Sequence, residues 1–377
     1  MIIQSKKVYY NEKFQALQVE VVDGKIIGIY PYGLVGGNVT DYGDNMILPG
    51  FIDIHNHGYG NCDSDHATVD WVKHWMAYLP TEGVTSICPT TSSAPHQVVL
   101  NGMRAIAQAC KEGYEGTNIL GIYSEGPFIC YDYRGAQDWN SHLVPTKEII
   151  DQYLQASDNR LLYVMLAPEM LDNTNVIKYC CSKGIKVTIG HTGATFQQCK
   201  EALEAGAVCF THTYNGMRGL HHREPGVVGA AMYFEDAYAE LIGDGVHVSF
   251  PAAHILAKIK GKDRLITVTD SVNVKGLPVG RHVHNGDVLI IDENVARLED
   301  GTLDGSVNKL NVLVRREINE AKIDIVTAIN SVTCNPANML GYGHCKGYIK
   351  EHYDADITVM DKEFNPLQTY IAGKEML

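Results

Sequence analysis

The chain has 377 residues, 45% of them hydrophobic and 20% charged, which is the composition of a globular protein with material for a sizeable core. Its 31 basic and 44 acidic residues give a net charge of −13, which argues against nucleic acid or an anionic membrane surface as the main partner. The ten cysteines include no Cys-x-x-Cys pair and favour reduced thiols over a secreted disulfide framework. Because no run approaches ~20 apolar residues and no apolar leader is visible, we expect a cytoplasmic protein that does not enter a membrane.

The N-terminal region, residues 1–48, has the pattern of a small β region. Two short β-rich runs at 16–20 and 25–30 are separated by Asp23-Gly24, which is a hairpin signal. Gly36-Gly37 interrupts the pattern before the apolar run 46–48. This region is therefore predicted to contribute strands, not helices.

From residue 51 onward, short apolar runs alternate with helical patterns. The predicted strands cover residues 51–55, 84–88, 119–124, 161–166, 185–189, 208–211, 239–242 and 265–269. The predicted helices between them cover 68–79, 97–111, a stretch after Asp172, and 195–205. Continuous apolar strands are typical of a parallel sheet covered by helices. Eight such units predict an α/β fold, a (β/α)8 TIM-like barrel.

The C-terminal part begins with a loop-rich stretch after Asp270, in which residues 300–305 are predicted to form tight turns. Helices are predicted over 309–320 and 324–332, and short β segments over 347–361 and 370–371. This tail resembles the N-terminal region in character. We therefore predict a small β-sandwich domain built from both termini, residues 1–50 and 344–377, with the barrel domain over 51–343 between its two parts.

Polar residues occur where the predicted barrel strands end. They are His55 and His57 at the first strand, Glu125 at the third, His191 at the fifth, His212 at the sixth and Asp270 at the eighth. Catalytic groups of barrel enzymes lie at this end of the strands, and the i, i+2 spacing of the first two lets both imidazoles point the same way. Any one of them alone would more simply be a hydrogen-bonded strand terminus. Six together predict a site for Zn²⁺, Fe²⁺, Mn²⁺ or Co²⁺, which imidazole and carboxylate ligands suit.

These residues stand in segments that resemble the amidohydrolase superfamily and, within it, the N-acetylglucosamine-6-phosphate deacetylase family. The resemblance runs from end to end and rests on segments 49–58, 124–128, 166–169, 190–195, 211–217, 221–226, 244–248, 268–271 and 300–306. The His-x-His of the first segment signals only the superfamily. The Asn-Gly-Met and His-Arg-Glu-Pro-Gly segments after the sixth strand are more specific.

The resemblance implies a role for each matching residue. Glu125, His191 and His212 would hold a primary divalent metal ion, His55 and His57 would support a second one, and Asp270 would act as general base and general acid. The implied substrate contacts are Ala136, Gln137, Asn215, Gly216, Arg223, His247, Leu303, Asp304 and Gly305. Arg223 would pair with a phosphate, for which its planar fork of donors is suited. Gln137 stands where the family often has His, and Gly216 where it usually has Ala.

The implied reaction is removal of the acetyl group from N-acetylglucosamine 6-phosphate, which gives glucosamine 6-phosphate and acetate. Alternatives left open are the same reaction on the galacto isomer, and another amidohydrolase reaction on a cyclic amide that ignores the phosphate. A non-enzymatic barrel is a third alternative, but such a scaffold would be free to lose ligands. The resemblance also implies a homodimer, a small-molecule substrate, and one or two bound ions.

Overall fold

The computed structural model describes residues 1–170, 173–284 and 287–377. In chain order the strands are β1 (Ile2–Tyr10), β2 (Lys13–Val22), β3 (Lys25–Pro31), β4 (Val39–Asp41), β5 (Met46–Pro49), β6 (Phe51–Asn56), β7 (Gly58–Tyr59), β8 (Cys62–Asp63), β9 (Val84–Thr91), β10 (Asn118–Ile119), β11 (Ile122–Ser124), β12 (Leu161–Leu166), β13 (Lys186–Ile189), β14 (Cys209–Phe210), β15 (Tyr238–Leu241), β16 (Leu265–Thr267), β17 (Gly280–His284), β18 (Asp287–Ile291), β19 (Val295–Leu298), β20 (Leu303–Ser306), β21 (Ile357–Met360), β22 (Pro366–Ile371) and β23 (Lys374–Glu375).

The helices follow the same order. They are α1 (Val69–Tyr78), α2 (His96–Glu112), α3 (Lys147–Ala156), α4 (Asn173–Ser182), α5 (Phe196–Ala205), α6 (Gly226–Tyr233), α7 (Phe250–Arg264), α8 (Leu310–Asn319), α9 (Ile325–Ser331) and α10 (Cys334–Leu340). Short 3-10 turns lie at Leu79–Glu82, Tyr131–Tyr133 and Trp139–Ser141. None of the helices described is long and apolar enough to cross a membrane.

A parallel sheet forms the centre of the molecule. Its strand order is β10-β9-β11-β12-β13-β14-β15-β16, and β6 pairs with β9. A parallel bridge between Asn56 and Ser271 brings the first strand beside the segment after the last one. This arrangement, with helices following the strands, confirms the predicted (β/α)8 barrel.

The sequence located the barrel strands to within a few residues. The third predicted strand is divided into β10 and β11, which pair with different parts of β9. The predicted helix after Asp172 is α4, although Asp172 itself lies outside the described residues. Helices α3, α6, α7 and α10 were not predicted. Apolar residues lie all round the short α6, and Gly261 interrupts α7 with a left-handed φ of 61°, so neither shows a clean 3.6-residue pattern.

Both chain ends contribute to a second sheet. Its order is β23-β22-β21-β5-β1-β2-β3, with β4 also paired to β1, so strands from 2–49 and 357–375 share one hydrogen-bonded layer. The predicted hairpin at Asp23-Gly24 joins β2 to β3, and both of its residues have positive φ. Of the β segment predicted over 347–361, only residues 357–360 form a strand, β21. The division into domains of 1–50 with 344–377 and of 51–343 stays a prediction.

An antiparallel sheet of four strands, β17-β18-β19-β20, occupies most of the stretch that was predicted to be loop-rich. Only the turn around residues 299–302 fits the predicted tight turns, since Leu303 begins β20. The sheet packs on a small apolar cluster that includes Val272, Val274 and Leu289. Its strands are four or five residues long and several of their side chains are exposed, which hides the alternating pattern in the sequence.

Candidate metal centre

The candidate centre lies at the rim where the parallel barrel strands end. Side chains at the end of β6 or just after β6, β11, β13, β14 and β16 meet there because the strands belong to one sheet. The structure brings together all six predicted rim residues, which are His55, His57, Glu125, His191, His212 and Asp270. Their roles as ligands and as catalytic base stay predictions, but their convergence is a property of the fold.

Glu125 is the meeting point of the first half of the centre. Its Oε1 lies 2.7 Å from Nε2 of His212 and 3.2 Å from Nε2 of His191, and the two imidazole nitrogens are 3.1 Å apart. All three side chains are nearly fully buried. Three donor atoms that face one point in a dry environment form a group that could hold a metal ion.

The His-x-His pair forms the second half of the centre, and it also reaches Glu125. Nε2 of His57 lies 3.1 Å from the Oε2 of Glu125, and Nε2 of His55 lies 3.4 Å from its Oε1. Both imidazole nitrogens are 3.3 Å from Oδ1 of Asp270. His55, His57 and Glu125 are thus a second potential metal-binding group that shares its carboxylate with the first.

A carboxylate that the sequence analysis missed stands behind this layer. Glu240, on β15, accepts a hydrogen bond from Nδ1 of His55 at 3.0 Å and another from the backbone N–H of His212 at 3.0 Å. The hydroxyl of Tyr163 donates to its other oxygen. With Nδ1 held in this way, Nε2 of His55 is directed at the centre. The sequence did carry a signal for Glu240, because it is an acidic residue inside the otherwise apolar seventh predicted strand, 239–242.

The backbone is strained at three of the rim residues. His191, His212 and Asp270 have φ values of 44°, 25° and 45°, in the left-handed region that residues with a Cβ rarely adopt. Such conformations persist only where the surroundings impose them, and they concentrate at functional sites. Here the hydrogen bonds from N–H of Cys130 to the carbonyl of His191 and from N–H of Asp270 to the carbonyl of His55 hold the turns in place.

The electrostatics of the cluster favour a cation. Burial opposes a charged imidazole, but the carboxylates of Asp270 and Glu125 raise the pKa of His57 to about 10. Burial also opposes ionisation of Glu125, yet His55 and His191 hold its pKa well below the usual range. The pKa of Asp270 is low for the same reason, through His55 and His57. The buried carboxylates and imidazoles thus stabilise each other's charged forms, and a divalent cation bound there would replace the imidazole protons as the source of positive charge.

Two of the predicted substrate residues contact the candidate ligands directly. Nε2 of Gln137 donates to Oε2 of Glu125 at 2.7 Å, while its Oε1 accepts from the backbone N–H of Ser93 at 2.6 Å. Gln137 therefore orients Glu125, and Ala136 precedes it on the same half-buried loop. Gly216 has a φ of 53°, and a Cβ added there would lie 2.9 Å from Nδ1 of His191. The family's usual Ala would crowd that imidazole.

The remaining predicted contacts surround the centre at different depths. Asn215 donates to the carbonyl of His212 at 3.3 Å, and Nδ1 of His247 lies 2.6 Å from Oδ2 of Asp244. On β20, Leu303 and Asp304 are half-buried. Gly305 follows them and is buried, and a Cβ on it would lie 2.7 Å from the carbonyl oxygen of Asp270. This strand therefore packs directly against the rim.

Arg223 differs from the other predicted substrate residues in its exposure to solvent. It is exposed on the loop before α6, and Nη1 lies 2.8 Å from Nε2 of His222. The backbone N–H of Arg223 donates to His221. Within the described residues its hydrogen bonds are with these two neighbours. Its phosphate contact stays a prediction.

Comparisons with known proteins agree with the fold. The model of the amidohydrolase family matches residues 46–376. An Escherichia coli O157:H7 protein named N-acetylgalactosamine-6-phosphate deacetylase is 34% identical over 359 residues, which are 95% of this chain and 94% of that protein. A Vibrio furnissii N-acetylglucosamine-6-phosphate deacetylase is 33% identical over 98% of this chain and 94% of its own length.

A solved structure is similar over the whole length. It is a variant of N-acetyl-D-glucosamine-6-phosphate deacetylase from Mycobacterium smegmatis in complex with N-acetyl-D-glucosamine 6-phosphate, with a TM-score of 0.94 and 24% identity. The match covers 100% of this chain and 99% of that one, which confirms the architecture. The family model extends over most of the sequence and includes every rim residue. The chain belongs to the amidohydrolase family.

Proposed function

We propose that this protein is a metal-dependent hydrolase that removes the acetyl group from N-acetylglucosamine 6-phosphate, and that it works in the cytoplasm. The observation that carries the proposal is the buried convergence of Glu125, His191 and His212 with Asp270 beside them. Relatives that match nearly the full length carry the names of deacetylases of N-acetylated amino sugar phosphates. Their common chemistry is hydrolysis of an amide on a phosphorylated sugar.

The residues at the rim fit a divalent metal ion. Glu125, His191 and His212 would hold one ion, and His55 and His57, which share Glu125, would hold a second. A divalent ion supplies Lewis-acid chemistry, which activates water near neutral pH and polarises an amide carbonyl. The donors are imidazole nitrogens and carboxylate oxygens, a set that suits Zn²⁺, Fe²⁺, Mn²⁺ or Co²⁺.

Asp270 is the residue that moves the proton. Its low pKa keeps the carboxylate ionised, and its side chain is 11% exposed, so substrate and water can reach it. The carboxylate takes a proton from the attacking water and delivers it to the nitrogen of the breaking C–N bond. The sugar then departs as a neutral amine and not as an unstable amide anion. Acetate is the second product.

The phosphate would be recognised by Arg223. Its guanidinium is on an exposed loop and has the fixed fork of donors that matches phosphate oxygens. Asn215, Gly216 and His247 would contact the sugar. We further propose a homodimer, in line with two large exposed apolar side chains close to this loop, Leu220 and Tyr233. Sedimentation of the purified protein at several concentrations measures its assembly state directly.

A second candidate substrate is N-acetylgalactosamine 6-phosphate. The Escherichia coli relative, which is 34% identical, is named for that substrate, and the Vibrio furnissii relative, which is 33% identical, is named for the gluco isomer. Identities this similar favour neither orientation of the sugar hydroxyl. Both substrates would use the same rim residues. The two substrates differ in the orientation of one sugar hydroxyl, so the loops that face this hydroxyl would decide between them.

The decisive experiment measures acetate released from both sugar phosphates by protein loaded with each of the four metals. We expect release from at least one substrate and none from the metal-stripped protein. Absence of release with every metal would refute the proposal. The Arg223→Ala variant tests the phosphate contact: an unchanged kcat/KM on the best substrate would favour the cyclic-amide alternative instead.

A further inference from the structure

A third group of potential metal ligands lies outside the two groups at Glu125. Asp63 ends the short hairpin β7–β8, His66 follows it three residues later, and His284 ends β17 of the four-stranded sheet. One donor atom from each residue lies within 4.8 Å of the other two. This group shares no residue with either group at Glu125.

The carboxylate of Asp63 is at the centre of the group. Its Oδ1 is 2.8 Å from Nδ1 of His66, and its Oδ2 is 2.9 Å from Nε2 of His284. The side chains of Asp63 and His284 are only 14% and 10% exposed, whereas that of His66 is 41% exposed. The group is therefore closed on the protein side and open on one side, as a site with a remaining coordination position for water would be.

The types of the three residues and their positions along the chain both fit a metal site. Two imidazoles and a carboxylate are the ligands of many three-residue zinc sites. Asp63 and His66 come from one short segment, while His284 comes from a strand 221 residues from Asp63. Ligands divided in this way let one ion fasten a local hairpin to a distant element, and closing so long a loop is where such a clip restricts the unfolded chain most.

We propose that Asp63, His66 and His284 form a binding site for a divalent transition-metal ion such as Zn²⁺, separate from the catalytic centre. The ion would clip hairpin β7–β8, which begins directly after His57, to the sheet that carries Asp304 and Gly305 on β20. This site goes beyond the proposed function, because the ion would hold two structural elements together and would take no part in the reaction. Its existence does not depend on the identity of the substrate.

The first test counts ions. Metal-stripped protein is reloaded with Zn²⁺, freed of unbound metal and analysed for zinc per chain, for the wild type and for the His66→Gln, His284→Gln double variant. We expect the double variant to hold about one equivalent less per chain, since one ion takes its ligands from all three residues. His282→Gln, on the same strand as His284, is the matched control and should hold as much zinc as the wild type.

The second test has its main outcome in the wild-type protein, so that outcome does not depend on how a variant folds. Diethyl pyrocarbonate modifies accessible imidazole nitrogens, and mass spectrometry assigns the modified residue. We expect Zn²⁺ to protect His66 in the wild type but not in His284→Gln, while His282 is modified equally with and without Zn²⁺. Equal zinc content in wild type and double variant, or modification of His66 that Zn²⁺ does not change, would show a hydrogen-bonded triad only and overturn the proposal.

Discussion

Two buried carboxylates in this molecule respond to burial in opposite ways. Glu125, at the barrel rim, is 2% exposed, and Glu317, on α8, is 0% exposed. Burial favours the neutral acid at both positions, yet imidazoles hold the pKa of Glu125 well below the usual range. Burial raises the pKa of Glu317 to about 8, because the hydroxyl of Thr267, 2.8 Å away, compensates only weakly. Glu125 at the barrel rim therefore keeps its negative charge, whereas Glu317 on α8 stays neutral below a pH of about 8.

The contrast shows that a buried acid is not by itself a sign of chemistry. Glu125 lies within 3.4 Å of four imidazole nitrogens, whereas Glu317 contacts Thr267, whose hydroxyl in turn lies 2.8 Å from that of Ser331. A carboxylate that stays ionised can bind a cation, while a protonated one is a packing group with a hydrogen bond. The neighbours decide the function of each acid, and the following four changes test that reading.

The largest effect is expected for Asp270→Asn at the rim. The amide has nearly the same shape but cannot accept the proton of the attacking water, so turnover should fall ~10²–10⁴-fold while sugar phosphate still binds. Acetate release and calorimetric binding measure the two properties separately. Asp263→Asn, whose carboxylate is 66% exposed, is the control. An Asp270→Asn variant with wild-type turnover would remove this residue from its catalytic role.

The next largest effect is expected for Glu317→Gln, and it concerns stability. The folded-state pKa of about 8 lies above the ordinary value of 4.5, so between these pH values the folded state binds more protons than the unfolded chain. The free energy of unfolding of the wild type should therefore fall as pH rises from about 4.5 to about 8, by a few kcal/mol at ~1.4 kcal/mol per pKa unit. The neutral amide should abolish that slope.

Urea unfolding at pH 5 and at pH 8.5 measures this difference for Glu317→Gln and for the exposed control Glu320→Gln. We expect Glu317→Gln to gain stability over the wild type at the higher pH, and Glu320→Gln to follow the wild type. Parallel pH profiles for wild type and Glu317→Gln would mean that Glu317 is ionised in the folded protein. The contrast with Glu125 would then be lost.

A smaller effect is expected for Glu240→Gln, which leaves the rim residues themselves intact. Glu240 is a positioning residue, because it acts through Nδ1 of His55 and the backbone of His212. Replacing its carboxylate by an amide should weaken metal binding ~10–100-fold, as for other acceptors behind imidazole ligands. Chelator competition measures the affinity, and the exposed Glu235→Gln is the control. Unchanged affinity would mean that His55 is oriented by packing alone.

The convergence of the rim residues could be predicted because its signals are local. His55, His191, His212 and Asp270 each stand just after an apolar run, and parallel strands place such positions at one edge. Glu240 was missed because it lies inside a strand, where an apolar residue is expected. The barrel strands and the terminal strands β2, β3 and β5 were predictable for the same reason as the rim, since continuous or alternating apolar runs are visible in a single sequence.

The four-stranded sheet and the Asp63 group could not be predicted in the same way. The strands β17 to β20 are short and partly exposed, so their pairing depends on contacts with Val272 and Val274 that no periodicity reveals. His284 lies next to Asp63 because β17, which ends at His284, belongs to this sheet. A site whose ligands come from a loop and an inserted sheet has no strand-end pattern, and three-dimensional pairing alone brings its residues together.

The smallest effect, and the finest test of the rim, is expected for Gly216→Ala. The substitution adds one Cβ at a φ of 53°, 2.9 Å from Nδ1 of His191, and changes no charge. The left-handed backbone costs ~1–2 kcal/mol for a residue with a Cβ, and the imidazole must shift by a few tenths of an ångström. Gly219→Ala is the control, because a Cβ there meets nothing within 4 Å. If the rim depends on the placement of its imidazoles around Glu125, Gly216→Ala should weaken metal binding measurably in chelator competition. Equal affinities for both variants would instead show that His191 tolerates displacement, and that the charge of Glu125 is set by the other three histidines.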